Sequence, residues 1–308
     1  MRPIRSHKAL WLLFVVSLLV SACNVSPTAT ALPPGTAVPT QIVTTEPPTA
    51  EPTAEATPVP TQPAVVAGTQ FSKFGVTFIY DPSLATEIDA ALVPAVTGED
   101  LPFFMIAPQH AAFTFTGYLV RTYGPQIQVF SPEAYVNQSS SAQVLKDRLA
   151  EIQANLAQRP DLNQKYKLFI EMGGNGAPGG VPPVIPAINA QIVVAAKKGY
   201  IDFGNGSGMR FVYWASQAVM PVDPNFLFYT FEGLTADGKH FVTVTFPVHA
   251  AVTVALPTPP FDATPADMDR YNEAVAQAIE AADPGAFTPS LALLDAVVQS
   301  LQIAPEAP

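Results

Sequence analysis

The residues able to do acid–base chemistry are few and widely separated in this 308-residue chain. The histidines beyond residue 68 are His110, His240 and His249, and none stands in a His-Glu-x-x-His or comparable metal-binding spacing. Together with Glu232 or Asp237, the last two histidines could form a hydrolase-type site near the 233–249 hairpin. Their odd separation, however, places them on opposite faces of an ideal strand. The sequence therefore assigns no catalytic residue, no metal ligand and no cofactor.

Aromatic side chains supply a second kind of candidate, a surface on which a ligand or a partner could stack. Tyr213 and Trp214 are neighbours in the chain, and Tyr229 follows in a later apolar run. With His240 and His249 they form the set of possible ligand or partner contacts. Aromatic residues of a sheet more often belong to the core, and we expect His240, beside a predicted turn, to be a solvated residue at a strand edge.

The only cysteine, Cys23, ends a distinctive N-terminal pattern. Three basic residues and no acid occupy positions 1–8, and an unbroken apolar run, ALWLLFVVSLLV, fills positions 9–20. A basic start, a short apolar run and small residues at its end are typical of a secretory signal. As a helix the run would span about 18 Å, whereas the hydrocarbon of a bilayer is about 30 Å thick. It is therefore too short for a comfortable transmembrane helix.

The segment Leu19-Val20-Ser21-Ala22-Cys23 resembles the bacterial lipobox, with Val20 where Leu is commoner. The resemblance implies a lipoprotein signal peptide over residues 1–22, cleaved between Ala22 and Cys23. It also implies that Cys23 then carries a thioether-linked diacylglycerol and a third, amide-linked chain. Two or more acyl chains anchor a protein stably, so the expected location is extracytoplasmic, on the cell surface or facing the periplasm. An ordinary signal peptide with an incidental cysteine is the alternative.

Residues 23–68 combine the lipidated cysteine with a segment of unusual composition. Positions 24–68 contain 10 Pro, 10 Thr, no aromatic residue and three glutamates as their only charges. Such a segment cannot bury enough apolar surface to offset its chain entropy, so its composition predicts a disordered tether. At about 3.1 Å per residue it could reach roughly 140 Å when fully extended.

The remaining residues, 69–308, are predicted to form one folded domain. They hold 28 of the chain's aromatic residues, and they carry 12 Lys and Arg against 22 Asp and Glu. The net charge of −10 for the whole chain lacks the basic footprint of a nucleic-acid-binding protein. A single cysteine excludes an internal disulfide bond.

Apolar and β-branched runs bounded by turn residues predict the strands of this domain. The last four predicted strands follow one another as an antiparallel meander, with turns at 204–208 and 234–239 that are rich in Gly, Asn and Asp. The predicted strands are Val76–Tyr80, Ala112–Val120, Gln126–Phe130, Leu168–Met172, Ala190–Phe203, Met209–Trp214, Phe226–Glu232 and His240–Phe246.

Apolar residues three and four apart predict helices over Ser139–Gln158, over Asp262–Ala282 and from Thr288 to the region of Leu301. Thr264 followed by Pro265 is a typical N-terminal cap for the second of them. The meander strands are apolar on both faces and need cover on both sides. We therefore expect an α+β fold, mainly an antiparallel sheet with helices packed on it, of which an α/β/α sandwich is one form.

Two short segments resemble parts of the PsbP/Mog1-like fold. They are the opening strand FGVTFIYDP at Phe74–Pro82 and the closing helix LDAVVQSLQI at Leu294–Ile303. This resemblance implies an α/β/α sandwich with an adaptor-like, non-catalytic role. The leader, tether and domain together look like a bacterial surface lipoprotein. We expect a membrane-anchored binding or interaction domain for a protein, a wall component or a small ligand, with an envelope hydrolase as the alternative.

Overall fold

A computed structural model describes the folded part of the chain. The predicted signal peptide, Cys23 and tether residues 24–67 lie outside the described residues, as does the start of the first predicted helix at 139–142. In the part that is described, no helix is both long and apolar enough to cross a membrane. The described residues are 68–98, 101–120, 124–138, 143–171 and 180–308.

Two antiparallel sheets are built from these residues. The main, eight-stranded sheet has the order β3-β4-β5-β9-β8-β7-β6, with β10 beside the end of β9, and a three-stranded sheet has the order β1-β2-β11. The strands are β1 Thr69–Lys73, β2 Val76–Tyr80, β3 Glu87–Val93, β4 His110–Thr116, β5 Gln126–Phe130, β6 Gln191–Phe203, β7 Gly206–Ser216, β8 Leu227–Thr235, β9 Phe241–Ala250, β10 Phe287–Thr288 and β11 Gln302–Ile303.

Five α-helices accompany the described strands, and their ends carry the capping residues that sequence rules favour. The side chain of Thr264 accepts a hydrogen bond from the backbone of Asp267 at 3.2 Å, and that of Ser290 accepts one from Leu293 at 3.4 Å. The helices are α1 Pro132–Val136, α2 Gln143–Gln158, α3 Leu162–Lys165, α4 Pro265–Ala281 and α5 Leu291–Gln299.

Side chains alternate along the central strands and divide the core between the two faces of the main sheet. Leu227, Tyr229 and Phe231 of β8 join the larger core, to which α4, α5 and β2 also contribute. Leu234 of the same strand faces the smaller core, which holds Leu149 and other residues of α2. Helices thus cover both faces of the sheet, and the predicted α+β class with a mainly antiparallel sheet is confirmed.

Most predicted elements are confirmed, including the β6–β9 meander and the cap of α4 at Thr264. The predicted strand Ala112–Val120 starts and ends earlier, as β4. The prediction of a strand over Leu168–Met172 is wrong for its described residues, which form only an isolated bridge from Phe169 to Val194. The pairing of β6 with β7 shifts its register between Ile192 and Val194, which interrupts the ladder of hydrogen bonds between these two strands.

The turn between β6 and β7 is shorter than predicted, because two of its glycines belong to the strand. At Gly208, a Cβ atom would lie 2.4 Å from the Cζ atom of Phe231 and 2.6 Å from the backbone oxygen of Glu232. Glycine therefore lets the Phe231 ring pack directly against the backbone of β7.

Candidate functional site

Glu232 is the most unusual ionisable residue of the described domain, because its side chain is fully buried in the middle of the main sheet. Its Oε1 atom accepts hydrogen bonds from the backbone of Ile185 at 3.3 Å, from Thr230 Oγ1 at 3.3 Å and from Thr243 Oγ1 at 3.4 Å. Its Oε2 atom has no hydrogen-bond partner among the described residues. A carboxyl group in such a place is either protonated or strongly destabilised.

The strand alternation of β8 explains how the glutamate comes to be buried. Glu232 lies directly opposite Met209 of β7 and Thr243 of β9. Its side chain points, like that of Leu234, to the face covered by α2. Because helices cover this face, the side chain does not reach solvent. Its hydrogen-bond donors therefore come from the two neighbouring threonines and the Ile185 backbone.

Two further polar groups lie near Glu232 on the face covered by α2. Arg148 of α2 donates a hydrogen bond from Nη1 to the backbone oxygen of Val184 at 2.7 Å, and its charge favours the ionised glutamate. Tyr135 of α1 is fully buried, and its hydroxyl has no hydrogen-bond partner among the described residues. Burial outweighs the donors and the arginine, and it raises the pKa of Glu232 well above its usual range. Burial likewise raises the pKa of Tyr135.

A small cavity lies on the same side of the sheet, beside Tyr135. It offers about 10 Å³, which is room for one water molecule and not for an organic ligand. His110 lines it, with Nδ1 2.8 Å from the backbone oxygen of Pro108 and Nε2 3.1 Å from Nε2 of Gln128. Because the Pro108 oxygen can only accept, Nδ1 donates there and Nε2 accepts from the amide. The complete lining is Ala107, Pro108, His110, Gln128, Phe130, Tyr135 and Pro186.

A second polar cluster, on the opposite face of the sheet, joins the sheet to α5. Arg210 of β7 lies with Nη2 3.2 Å from Oδ2 of Asp295, and the hydroxyl of Tyr229 donates to Oδ1 of Asp295 at 2.9 Å. Burial raises the pKa of Asp295, and the charge of Arg210 opposes this rise. Arg210 also donates from Nη1 to the backbone oxygen of Lys197 at 2.6 Å. These contacts join four elements, β6, β7, β8 and α5.

The aromatic candidates from the sequence are all buried. Tyr213 and Trp214 lie on opposite faces of β7, in different hydrophobic clusters. Tyr213 stacks on Phe228 with ring centroids 5.4 Å apart, and the hydroxyl of Tyr229 donates a hydrogen bond to Asp295. The structure therefore places these three aromatic rings in the core.

The two histidine candidates and the acidic residues near them do not all converge. The expectation that His240 is solvated is wrong, because the C-terminal segment covers it and the Ala307 backbone oxygen lies 3.0 Å from its Nε2. His249 lies at the other end of β9, opposite Thr288. Asp237 is exposed at a turn, where hydrogen bonds from Thr235 and from the Lys239 backbone lower its pKa. Of the predicted hydrolase site, Asp237 and His240 lie at the same turn, where both bond to Thr235. His249 lies at the far end of β9 and does not join them.

Within the described residues, no group of three or more His, Cys, Asp or Glu side chains is arranged to hold a metal ion. Comparison with protein-family models, with curated proteins and with solved structures finds no match to this chain.

Sequence reasoning named Glu232 only as a possible member of the hairpin site and did not identify its surroundings. A signal was present, because an acidic residue interrupts the apolar run LFYTFEGL. Period-two alternation assigns that residue to the same face as Thr230 and Leu234. The contributions of Tyr135 and Arg148 come from distant helices, and no local pattern indicates them.

Proposed function

We propose that this protein is an extracytoplasmic lipoprotein, held to a membrane by lipid on Cys23, whose folded domain binds a partner rather than catalysing a reaction. The observation that carries the proposal is the position of the only cysteine, directly after a basic start, a short apolar run and two small residues. The partner classes are a protein, a wall component or a small ligand.

The arrangement of the domain's ionisable groups favours binding over catalysis. General acid–base chemistry needs a group that reaches the substrate. Glu232 is instead enclosed by its own donors, and His240 is covered by the C-terminal segment. Asp295 is engaged with Arg210 and Tyr229. Each of these groups fastens one part of the fold to another, as expected of a rigid scaffold that presents a surface.

The lipid anchor is tested by expressing the full chain in a bacterium supplied with an alkyne-labelled fatty acid. We expect the wild-type protein to incorporate the label and to sediment with membranes, and we expect Cys23→Ser to lose the label. Ser26→Ala, a small change just outside the lipobox-like segment, is the matched control and should behave as wild type. Equal labelling of the cysteine variant would overturn the proposal.

Thiol reactivity gives a second readout, because the chain has no other cysteine. Once Cys23 is a thioether it no longer reacts with a maleimide, even in the unfolded protein. If the wild-type protein reacts fully with maleimide after denaturation, Cys23 carries no lipid, whether or not the protein sediments with membranes.

The binding role is tested by crosslinking the anchored wild-type protein at the native surface and identifying its partners by mass spectrometry. Recovery of one recurring partner supports the role. Turnover of an envelope substrate that is abolished by Glu232→Gln would instead establish the hydrolase alternative.

A further inference from the structure

Exposed apolar side chains are concentrated at one end of the domain. Three loops lie at the end of the main sheet where β4, β7 and β9 end and β8 begins. They are the described residues 117–120 of the connection from β4 to β5, residues 217–226 and residues 251–264. We call this the tether-side end, because the chain toward Cys23 leaves the domain there. Six of the ten exposed large apolar side chains of the described residues lie in these loops: Leu119, Val219, Met220, Phe226, Leu256 and Phe261.

The loops are held in place rather than simply protruding. Asn272 of α4 accepts a hydrogen bond from the Val222 backbone at 2.7 Å and donates one to the backbone oxygen of Met220 at 3.2 Å. The hydroxyl of Tyr271, also on α4, lies 3.3 Å from that of Thr258. The apolar side chains are therefore presented on an ordered platform, with Phe261 being 77% exposed.

The chain leading back to Cys23 leaves the domain at the same end. Thr69, the first residue of β1, pairs with Tyr80, and the Tyr80 ring lies 6.0 Å from that of Phe115 near the end of β4. Phe115 in turn contacts Phe246 of β9 with ring centroids 4.8 Å apart. Residue 68 thus lies at the end that carries the apolar loops, and any membrane anchor at Cys23 is joined to the domain there.

The charges at this end define which lipid surface could fit. By sequence, the full connections at this end carry one basic residue, Arg121, against Asp223 and Asp262. This end therefore has no polybasic segment of the kind that draws proteins to anionic headgroups. Apolar side chains with few charged neighbours favour insertion into the interface of an uncharged or zwitterionic bilayer.

We propose that the loops of the tether-side end contact the bilayer that carries the protein's own lipid anchor, with Phe261 inserted into the interface. This inference rests on the proposed lipid anchor. The contact need not be strong, because covalent attachment to the anchored cysteine keeps the loops near the bilayer and makes the second contact intramolecular. The anchor and the loops would then hold the domain in a fixed orientation on the membrane.

The test uses the acylated full chain reconstituted into phosphatidylcholine vesicles. Acylation occupies the only native cysteine, so Phe261→Cys provides a single site for a thiol-reactive fluorophore. Met105→Cys is the matched control, because Met105 is 51% exposed and lies just before β4, at the opposite end of the sheet. Brominated lipids then report how closely each fluorophore approaches the acyl chains.

We expect quenching at position 261 to exceed that at position 105 by about twofold or more, since interfacial side chains reach roughly 5–10 Å into the headgroup boundary. Phe226→Ser, added to the labelled chain, should reduce the quenching. Replacing part of the phosphatidylcholine with phosphatidylglycerol at low salt should weaken it as well, because the loops carry two aspartates against one arginine.

Equal, weak quenching at both positions on vesicle-bound protein would overturn the membrane contact and leave the loops as a surface for a protein partner. Failure of the lipid anchor gives a different result, because the chain then stays in the supernatant and Cys23 takes up fluorophore. That result would overturn both proposals.

Discussion

Replacing Glu232 with Gln is expected to make the stability of the domain less dependent on pH. The amide has nearly the same shape as the acid, and its oxygen can keep the three hydrogen bonds that reach Oε1 in the wild type. What the substitution removes is an ionisable group whose pKa is raised well above its usual range by complete burial.

The sign of the effect follows from proton linkage. Below the unfolded-state pKa of about 4.5, both folded and unfolded chains hold the proton, and Glu232 contributes no pH dependence. As the pH rises above that value, the unfolded chain releases its proton while the folded domain keeps it. The wild type therefore loses stability with rising pH until the folded-state pKa is passed.

The size of the effect is about 1.4 kcal/mol per pH unit within that window. As the pH rises from 5, the free energy of unfolding of Glu232→Gln should therefore rise relative to that of wild type, at up to about 1.4 kcal/mol per pH unit for as long as the folded side chain keeps its proton. Tyr135 does not ionise in this range, because burial raises its pKa above the usual value for tyrosine. Other titrating groups are shared by the two proteins and cancel in the difference.

The assay is urea unfolding of both proteins at pH 5, 6 and 7. Glu273→Gln is the matched control for exchanging a glutamate for glutamine, because Glu273 is exposed on α4. A difference between Glu232→Gln and wild type that stays constant over this range, or that shrinks as the pH rises, would refute the assignment of Glu232 as a protonated buried acid.

Two further substitutions test the packing of the main sheet. Asp295→Ala should cost about 1–3 kcal/mol in thermal or urea unfolding, because it leaves its arginine and tyrosine partners unpaired in a partly buried site. Asp202 forms an exposed ion pair with Arg159, so Asp202→Asn should cost less than about 1 kcal/mol. Equal losses of stability in Asp295→Ala and Asp202→Asn would contradict the structural role of Asp295. Gly208→Ala should destabilise by about 1–3 kcal/mol through overlap with the Phe231 ring. Gly199→Ala is the control, because Gly199 has open space around it, and it should change the midpoint of unfolding much less. An unchanged midpoint for Gly208→Ala would contradict the contact between Gly208 and the Phe231 ring.

Local patterns were sufficient for much of the fold. The apolar spacing and Thr264 together predict α4 nearly to the residue, because capping and amphipathic burial act within one segment. The two hairpins of the meander follow from turn residues between long apolar runs. Strand β3 was not predicted, because its sequence EIDAALV mixes charged and small residues and lies largely exposed at the sheet edge.

The surroundings of the candidate sites depend on contacts far apart in the sequence. His240 looks solvated next to its turn, but the segment around Ala307 covers it. Glu232 is recognisable as an acid within a strand, whereas its relation to Tyr135 and Arg148 depends on how α1 and α2 pack on the sheet. Loops that gather at the tether-side end are likewise brought together by strand order, which no local pattern specifies.

The most direct test of the lipoprotein proposal is the mass of the N-terminal peptide of the mature protein, isolated from membranes of cells that express the full chain. We expect a peptide that begins at Cys23 and carries a diacylglyceryl group on its sulfur. A mature protein that begins at another residue, or that begins at Cys23 with a free thiol, would contradict it.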